Sequence, residues 1–374
     1  MLDDLVLFKL ETEINRIYAQ VETEMVSAIA HELAKGANAS ASPILWRTEK
    51  LRQMGRLEGK LSTVLARKSR DIQADLEDSI IRAMLVAGKE DDMVLAQIAS
   101  VKAQVKAGTF VEASKSTVFR QMTEAAVKNA RMGLNLTNTR ALQSASQMWV
   151  SAVNTAYVKT LTGSTSLDQA VKLSVREMGR QGAYVTYVSD MGRVTKTSLE
   201  VAVRRDVVTS VNQAAAEMTM GRCDEYECDL VEVSSHEGAR PEHALWQGKV
   251  YSLHGNTQGY ELFAVATGYG EPDGICGINC RHSFFPYFPG LSKQSQTIPG
   301  QRENEKTYKL TQQQRYLERN IRAAKRESSV CRAAGDSEGS AKAQARVKAY
   351  QSKMREFIDN SGLTRQYPRE QIYS

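Results

Sequence analysis

Cysteine, proline and aromatic residues are scarce in this 374-residue chain, and each scarcity excludes something. Five cysteines, an odd number, do not make a disulfide scaffold. Met1-Leu2-Asp3-Asp4 lacks the basic start and apolar core of a secretory signal, so synthesis in a reducing cytosol is expected. No apolar run approaches the roughly 18 residues of a membrane-spanning helix, which argues against an integral membrane protein. Aromatics make up only 7% and are unevenly spread. After Pro43 no proline occurs until Pro241, and only five glycines fall in the first 130 residues, against ten from Gly238 to Gly300. Both residues disrupt helix interiors, so the first half is free to be helical and the later region must be rich in turns. What is present, 42% apolar and 25% charged residues, suits a soluble globular protein of two or three domains and not a disordered one.

Helical periodicity is clearest at the start. Leu7, Leu10, Ile14, Ile17, Val21 and Ala28 recur at three- and four-residue steps, with Glu11, Glu13, Arg16 and Glu22 assigned to other faces. After a small-residue break at 36–43, further helices are expected over about 44–86, 91–107 and 116–159. His31 reads as a surface or seam residue of the opening helix.

From Gly163 the pattern turns mixed. A short helix is expected from Leu167 to Met178, a strand at 184–188 and a turn at 189–192. Thr197 with Glu200 resembles a capping box for a helix that carries Leu199, Val203, Val207, Val211 and Ala214 and stops near Gly221. Cys228 to Val233 alternates as a strand does. The stretch 234–290 holds four of the five histidines and most of the late aromatics, and reads as a compact set of short strands and loops. Beyond Pro299 helices are expected again, over about 311–332 and 340–358.

Charge is also uneven. Residues 301–374 hold 16 Lys/Arg against 9 Asp/Glu, a net of +7, while the whole chain carries only +6. Arg315, Arg319, Arg322 and Arg326 recur along one predicted helix face, which could contact nucleic acid or be an ordinary solvated face. The expected architecture is mainly α with an α+β module: an elongated helical region over 1–162, the Gly/Pro/aromatic-rich module over 163–299 and a basic helical tail over 300–374.

Two runs carry the strongest signal. One spans 234–251 and contains His236, Gly238, Arg240-Pro241-Glu242-His243, Trp246 and Gly248-Lys249-Val250-Tyr251. The other runs from Gly268-Tyr269-Gly270 to Asn279-Cys280-Arg281-His282 and Phe284-Phe285-Pro286. Cys276, Cys280 and His282 follow a Cys-x3-Cys-x-His spacing, to which His236 or His243 could add a fourth zinc ligand. Buried packing cysteines are the plainer reading, for this pair as for Cys223 and Cys228. Arg240, His243, Arg281 and His282 are the residue types that bind phosphate and move protons, so a nuclease- or toxin-like enzyme is the alternative hypothesis. Against it, no paired metal-binding carboxylates, phosphate-binding glycine loop or Gly-x-Ser-x-Gly elbow is evident. On the plainer reading the two arginines bind loop carbonyls. Trp246 and the run Phe284 to Pro289 are either module core or a docking surface.

Together the two runs resemble the phage minor capsid protein 2 family, and more distantly the head-morphogenesis module of Mu-type minor head proteins. In the latter, an Asn-Cys-Arg-Cys segment stands where this chain has Asn279-Cys280-Arg281-His282. The resemblance implies a non-enzymatic, low-copy virion protein of a bacteriophage or prophage. It would be made in the host cytoplasm and reside at the portal vertex or capsid interior. Its partners would be portal or capsid proteins and, through the basic tail, packaged DNA. Its role would lie in head assembly and DNA packaging.

Overall fold

A computed structural model describes residues 4–37, 42–102, 110–163, 165–188 and 192–373. Long helices dominate, as the composition predicts: α1 (Asp4–Ala34), α2 (Pro43–Arg52), α3 (Met54–Lys102), α4 (Thr117–Leu161), α5 (Leu167–Gln181), α6 (Leu199–Glu225), α8 (Gln301–Ala333) and α9 (Ser337–Ser361), with a single-turn α7 (Phe263–Thr267). Two small antiparallel sheets complete the fold. One is the hairpin of β1 (Tyr184–Val188) and β2 (Val194–Ser198), with Tyr184 opposite Ser198. The other has the order β4 (Val250–Ser252), β3 (Leu230–Val233), β5 (Phe284–Tyr287). Pro286 lies on the edge strand β5 opposite Val231, where its missing N–H breaks no inner ladder. No helix among the described residues is long and apolar enough to cross a membrane.

Two glycines expected near helix boundaries lie instead inside helices. At Gly88 in α3 an added Cβ would sit 2.7 Å from Ala113 Cβ, and at Gly221 in α6 it would sit 2.8 Å from Val118 Cγ1. Each leaves room for a neighbouring segment to approach, and α3 runs on to Lys102 and α6 to Glu225. The expected capping box is also displaced. Thr197 is paired with Val185 inside β2, and α6 begins at Leu199. Part of the expected helix over 91–107 and part of the turn at 189–192 lie outside the described residues.

The chain divides into two compact units. The first comprises Met1–Glu11, Ala74–Leu134 and Arg204–Gln312, and the second Thr12–Gln73, Asn135–Val203 and Gln313–Ser374. The three regions read along the sequence are a different division, since each unit draws on distant segments.

In the first unit, Leu95 and Ile98 of α3 and Ala216 and Cys223 of α6 pack with Val231, Val233, Trp246, Tyr251, Phe263, Ile275 and Phe284 in one apolar core. Trp246 and Phe284 are therefore core residues. Glu232 is fully buried on β3, and its carboxylate accepts the backbone N–H groups of Ser295 (2.8 Å) and Gln296 (2.9 Å). Arg222 on α6 is likewise buried; it donates to Glu225 (2.5 Å), Asp92 (2.9 Å) and the Val111 carbonyl (2.6 Å).

In the second unit, Ile14 and Val21 of the predicted α1 stripe are buried, Ile17 and Ala28 are only half-buried, and Met25 and Ile29, outside that stripe, are buried as well. Glu22, assigned to another face, is buried too. Its carboxylate accepts from Arg326 Nη1 of α8 at 3.0 Å. The same guanidinium donates to the carbonyls of Gly179 (3.0 Å) and Arg180 (3.1 Å). Gly182, which follows α5 with φ +69°, leaves room for this fork, since a Cβ there would lie 2.4 Å from Arg326 Cζ. Burial pushes the Glu22 carboxyl up to about 7, against the pull of Arg326. Trp149 of α4 is fully buried and donates its indole N–H to the Lys50 carbonyl at 3.0 Å. It lines a cavity of about 570 Å³ together with Trp46, Glu32 and Leu57.

Candidate functional site

The two motif runs fold against each other in the first unit. His243 opens a 3-10 turn, His243–Leu245, and Cys280 and His282 lie just ahead of β5. Asn279 has φ +55°, a left-handed conformation that asparagine tolerates better than most residues, and Gly238 and Gly248 take positive φ at turns. In the loop between the motifs, a Cβ on Gly274 would fall 1.8 Å from the Gly268 carbonyl oxygen, so only glycine fits. From α6, Asn212 Nδ2 donates to the carbonyls of Cys280 (3.4 Å) and His282 (3.2 Å), which ties this segment to the helix.

His243, Cys280 and His282 converge, and all three are buried. Cys280 Sγ lies 3.8 Å from His243 Nδ1 and 3.7 Å from His282 Nδ1. The far nitrogen of each ring is engaged elsewhere. His243 Nε2 is 2.7 Å from the Asp273 carbonyl, and His282 Nε2 is 3.1 Å from Gln247 Oε1. His236 stacks on His282 with ring centroids 4.4 Å apart, and Trp246 meets His282 edge-on at 4.7 Å. Burial holds both His243 and His282 below the ordinary imidazole pKa and lifts the Cys280 thiol above its own. Proximity of His236, His243 and Arg240 adds to the fall at His282.

The remaining candidates are placed differently. Cys276 has φ +58°, is packed in the apolar core, and lies outside the group formed by His243, Cys280 and His282. His236 touches that group by ring stacking and is not one of its three donors. Arg240 donates to the Ile278 carbonyl at 2.7 Å, a loop-bracing role. Arg281 instead pairs with Glu11, at 2.9 and 3.1 Å to the two carboxylate oxygens. The four polar residues considered for phosphodiester chemistry thus do not share an open cleft: the two imidazoles are buried against a thiol, and each arginine already serves a partner within the unit.

The four arginines of α8 likewise do not form one exposed row. Arg326 is buried on Glu22, Arg322 bonds Glu200 at 2.5 Å and also the Arg369 carbonyl, Arg315 is half-buried, and Arg319 is exposed. Two members of the site, Gln247 and Asn212, were not singled out by motif. Asn212 had a legible signal, an amide side chain in the buried row of Val208, Ala215 and Thr219 on α6.

Comparison with known proteins agrees with the motifs. The family described as phage minor capsid protein 2 matches residues 2–359. A "Structural protein" of Lactococcus phage LL-H is 26% identical over 333 residues, covering 88% of this chain and 89% of the relative. A "Structural protein" of Lactococcus phage mv4 is 38% identical over 106 residues, which is 28% of this chain and 86% of that protein. No solved structure matches. A match that runs nearly end to end, and that takes in the His243 and Cys280 motifs now seen folded together, means that the chain belongs to the phage minor capsid protein 2 family.

Proposed function

We propose that this protein is a virion structural component that works in low copy at the portal or inner head, in head assembly and DNA packaging. The observation that carries the reading is the family match over residues 2–359. It is supported by a site whose polar groups are turned inward to brace loops. Disrupting the gene in its phage should yield heads that are malformed or lack packaged DNA, with infectivity restored by the wild-type gene in trans. Mass spectrometry of purified wild-type virions should detect the protein below the abundance of the major shell protein. Normal yields of filled, infectious particles from the disrupted phage would refute the assignment.

Binding to packaged DNA belongs to the same reading. It falls to the exposed cations of α9, Lys348, Lys353 and Arg355, because Arg322 and Arg326 serve internal carboxylates. Deletion of 313–374 is no test, since these residues help to build the second unit. Changing the three to glutamine should lower the slope of log K against log salt by about 1 for every phosphate that is no longer neutralised. An unchanged slope in a DNA-binding titration would remove DNA binding from α9.

A further inference from the structure

We propose that His243 Nδ1, Cys280 Sγ and His282 Nδ1 form the protein part of a binding site for one zinc ion. The proposal does not rest on the virion role. It starts from proton placement. The Asp273 carbonyl can only accept, so His243 Nε2 carries the ring proton and Nδ1 presents a bare lone pair. Gln247 Oε1 already accepts the backbone N–H of His236 at 3.1 Å, which fixes the orientation of its amide. His282 Nε2 must therefore donate to that same oxygen, and its Nδ1 is also a bare lone pair. Both lone pairs face Cys280 Sγ, whose thiol has one hydrogen for the two of them. In the metal-free protein one buried nitrogen is left facing sulfur with no proton between.

A zinc ion resolves the conflict. It displaces the thiol proton to solvent and accepts electron pairs from the thiolate and both imidazoles. With Zn–S about 2.3 Å and Zn–N about 2.0–2.1 Å, tetrahedral geometry sets S···N near 3.6 Å. The observed separations of 3.8 and 3.7 Å need only a small contraction. The outer contacts match those of metal-ligating histidines, each far N–H being held by a carbonyl-type oxygen that fixes tautomer and ring orientation. A water molecule takes the fourth position. The consequence is structural: the ion would staple the 243 turn to the 280–282 segment, beside a three-stranded sheet whose strands are only three or four residues long.

Untagged full-length protein, stripped with chelator and reloaded, provides the test. Zinc should bind at about one equivalent per chain, and cobalt(II) in its place should give thiolate-to-metal charge-transfer absorption. Cys280→Ser should abolish that band, while Cys276→Ser and Cys223→Ser keep it. Gln247→Leu, which leaves all three donors in place, should weaken zinc binding about 10- to 100-fold; should Cys280→Ser fail to fold, this variant and the wild-type cobalt spectrum decide. Folded wild-type protein that takes up no zinc or shows no charge-transfer band would overturn the site. So would a band that survives Cys280→Ser and is lost in Cys276→Ser, or zinc affinity unchanged in Gln247→Leu.

Discussion

Arg326→Met should destabilise the second unit by about 3–5 kcal/mol at pH 9, and by clearly less at pH 5.5. The guanidinium meets Glu22 and two backbone carbonyls in a buried setting, so its loss strands a carboxylate away from water. The pH dependence follows from the sign of the Glu22 shift. Burial raises that carboxyl to about 7 even with Arg326 beside it, and removing the cation raises it further. A carboxyl raised in the folded state contributes stability that is fully present below its unfolded value of 4.5 and is lost as pH climbs through the folded value. In the wild type that loss is complete soon above pH 7; in the variant it continues upward. The gap between the two proteins therefore opens on the alkaline side. At pH 5.5 Glu22 is protonated in both, and the remaining deficit comes from the carbonyls of Gly179 and Arg180 and from poorer packing. Urea unfolding followed by far-ultraviolet circular dichroism at the two pH values measures this. An equal deficit at both would show that the Glu22 charge is not what Arg326 compensates.

Trp149→Ala should cost about 3–5 kcal/mol, the range for deleting a fully buried aromatic side chain. Two features favour the upper end. The indole N–H satisfies the Lys50 carbonyl, and an acceptor left unpaired in the interior costs about 1–3 kcal/mol. The side chain also borders a cavity of about 570 Å³, so the surroundings have little to collapse onto the new void. Trp149→Phe keeps most of the packing and loses only the hydrogen bond, and should recover more than half of the deficit. Denaturant titration of the three proteins tests the order; a phenylalanine variant as weak as the alanine one would place the indole N–H above packing.

How much of the fold and site is legible in the sequence depends on whether the cause of a feature is local. The apolar row through Ile14 and Val21 comes from helical periodicity and is visible in one sequence. Glu22 defies that periodicity because its partner, Arg326, lies 304 residues away. The same pairing withdraws Arg326 from the basic face that its three- and four-residue spacing suggests. Gly88 and Gly221 look like helix ends only when the segments that press on them are unknown. At the candidate site, His243, Cys280 and His282 are each recognisable as chemically capable residues. Spacing does not tell Cys280 from Cys276, four residues away: both are buried in the same apolar core, and it is the fold that groups Cys280 with the two imidazoles. Gln247, which orients His282 through a single oxygen, has no signature beyond its place between Trp246 and Gly248.

All five thiols are interior, and burial moves Cys331 up to about 12 and keeps Cys276 and Cys280 above the usual thiol range. An electrophile such as a maleimide therefore meets little native competition on this protein. A single engineered cysteine at Val265, 79% exposed on α7, would accept a fluorophore or gold cluster without removal of any natural thiol. The Cys280 environment would stay intact in the labelled molecule, so the reporter could be followed into assembled particles.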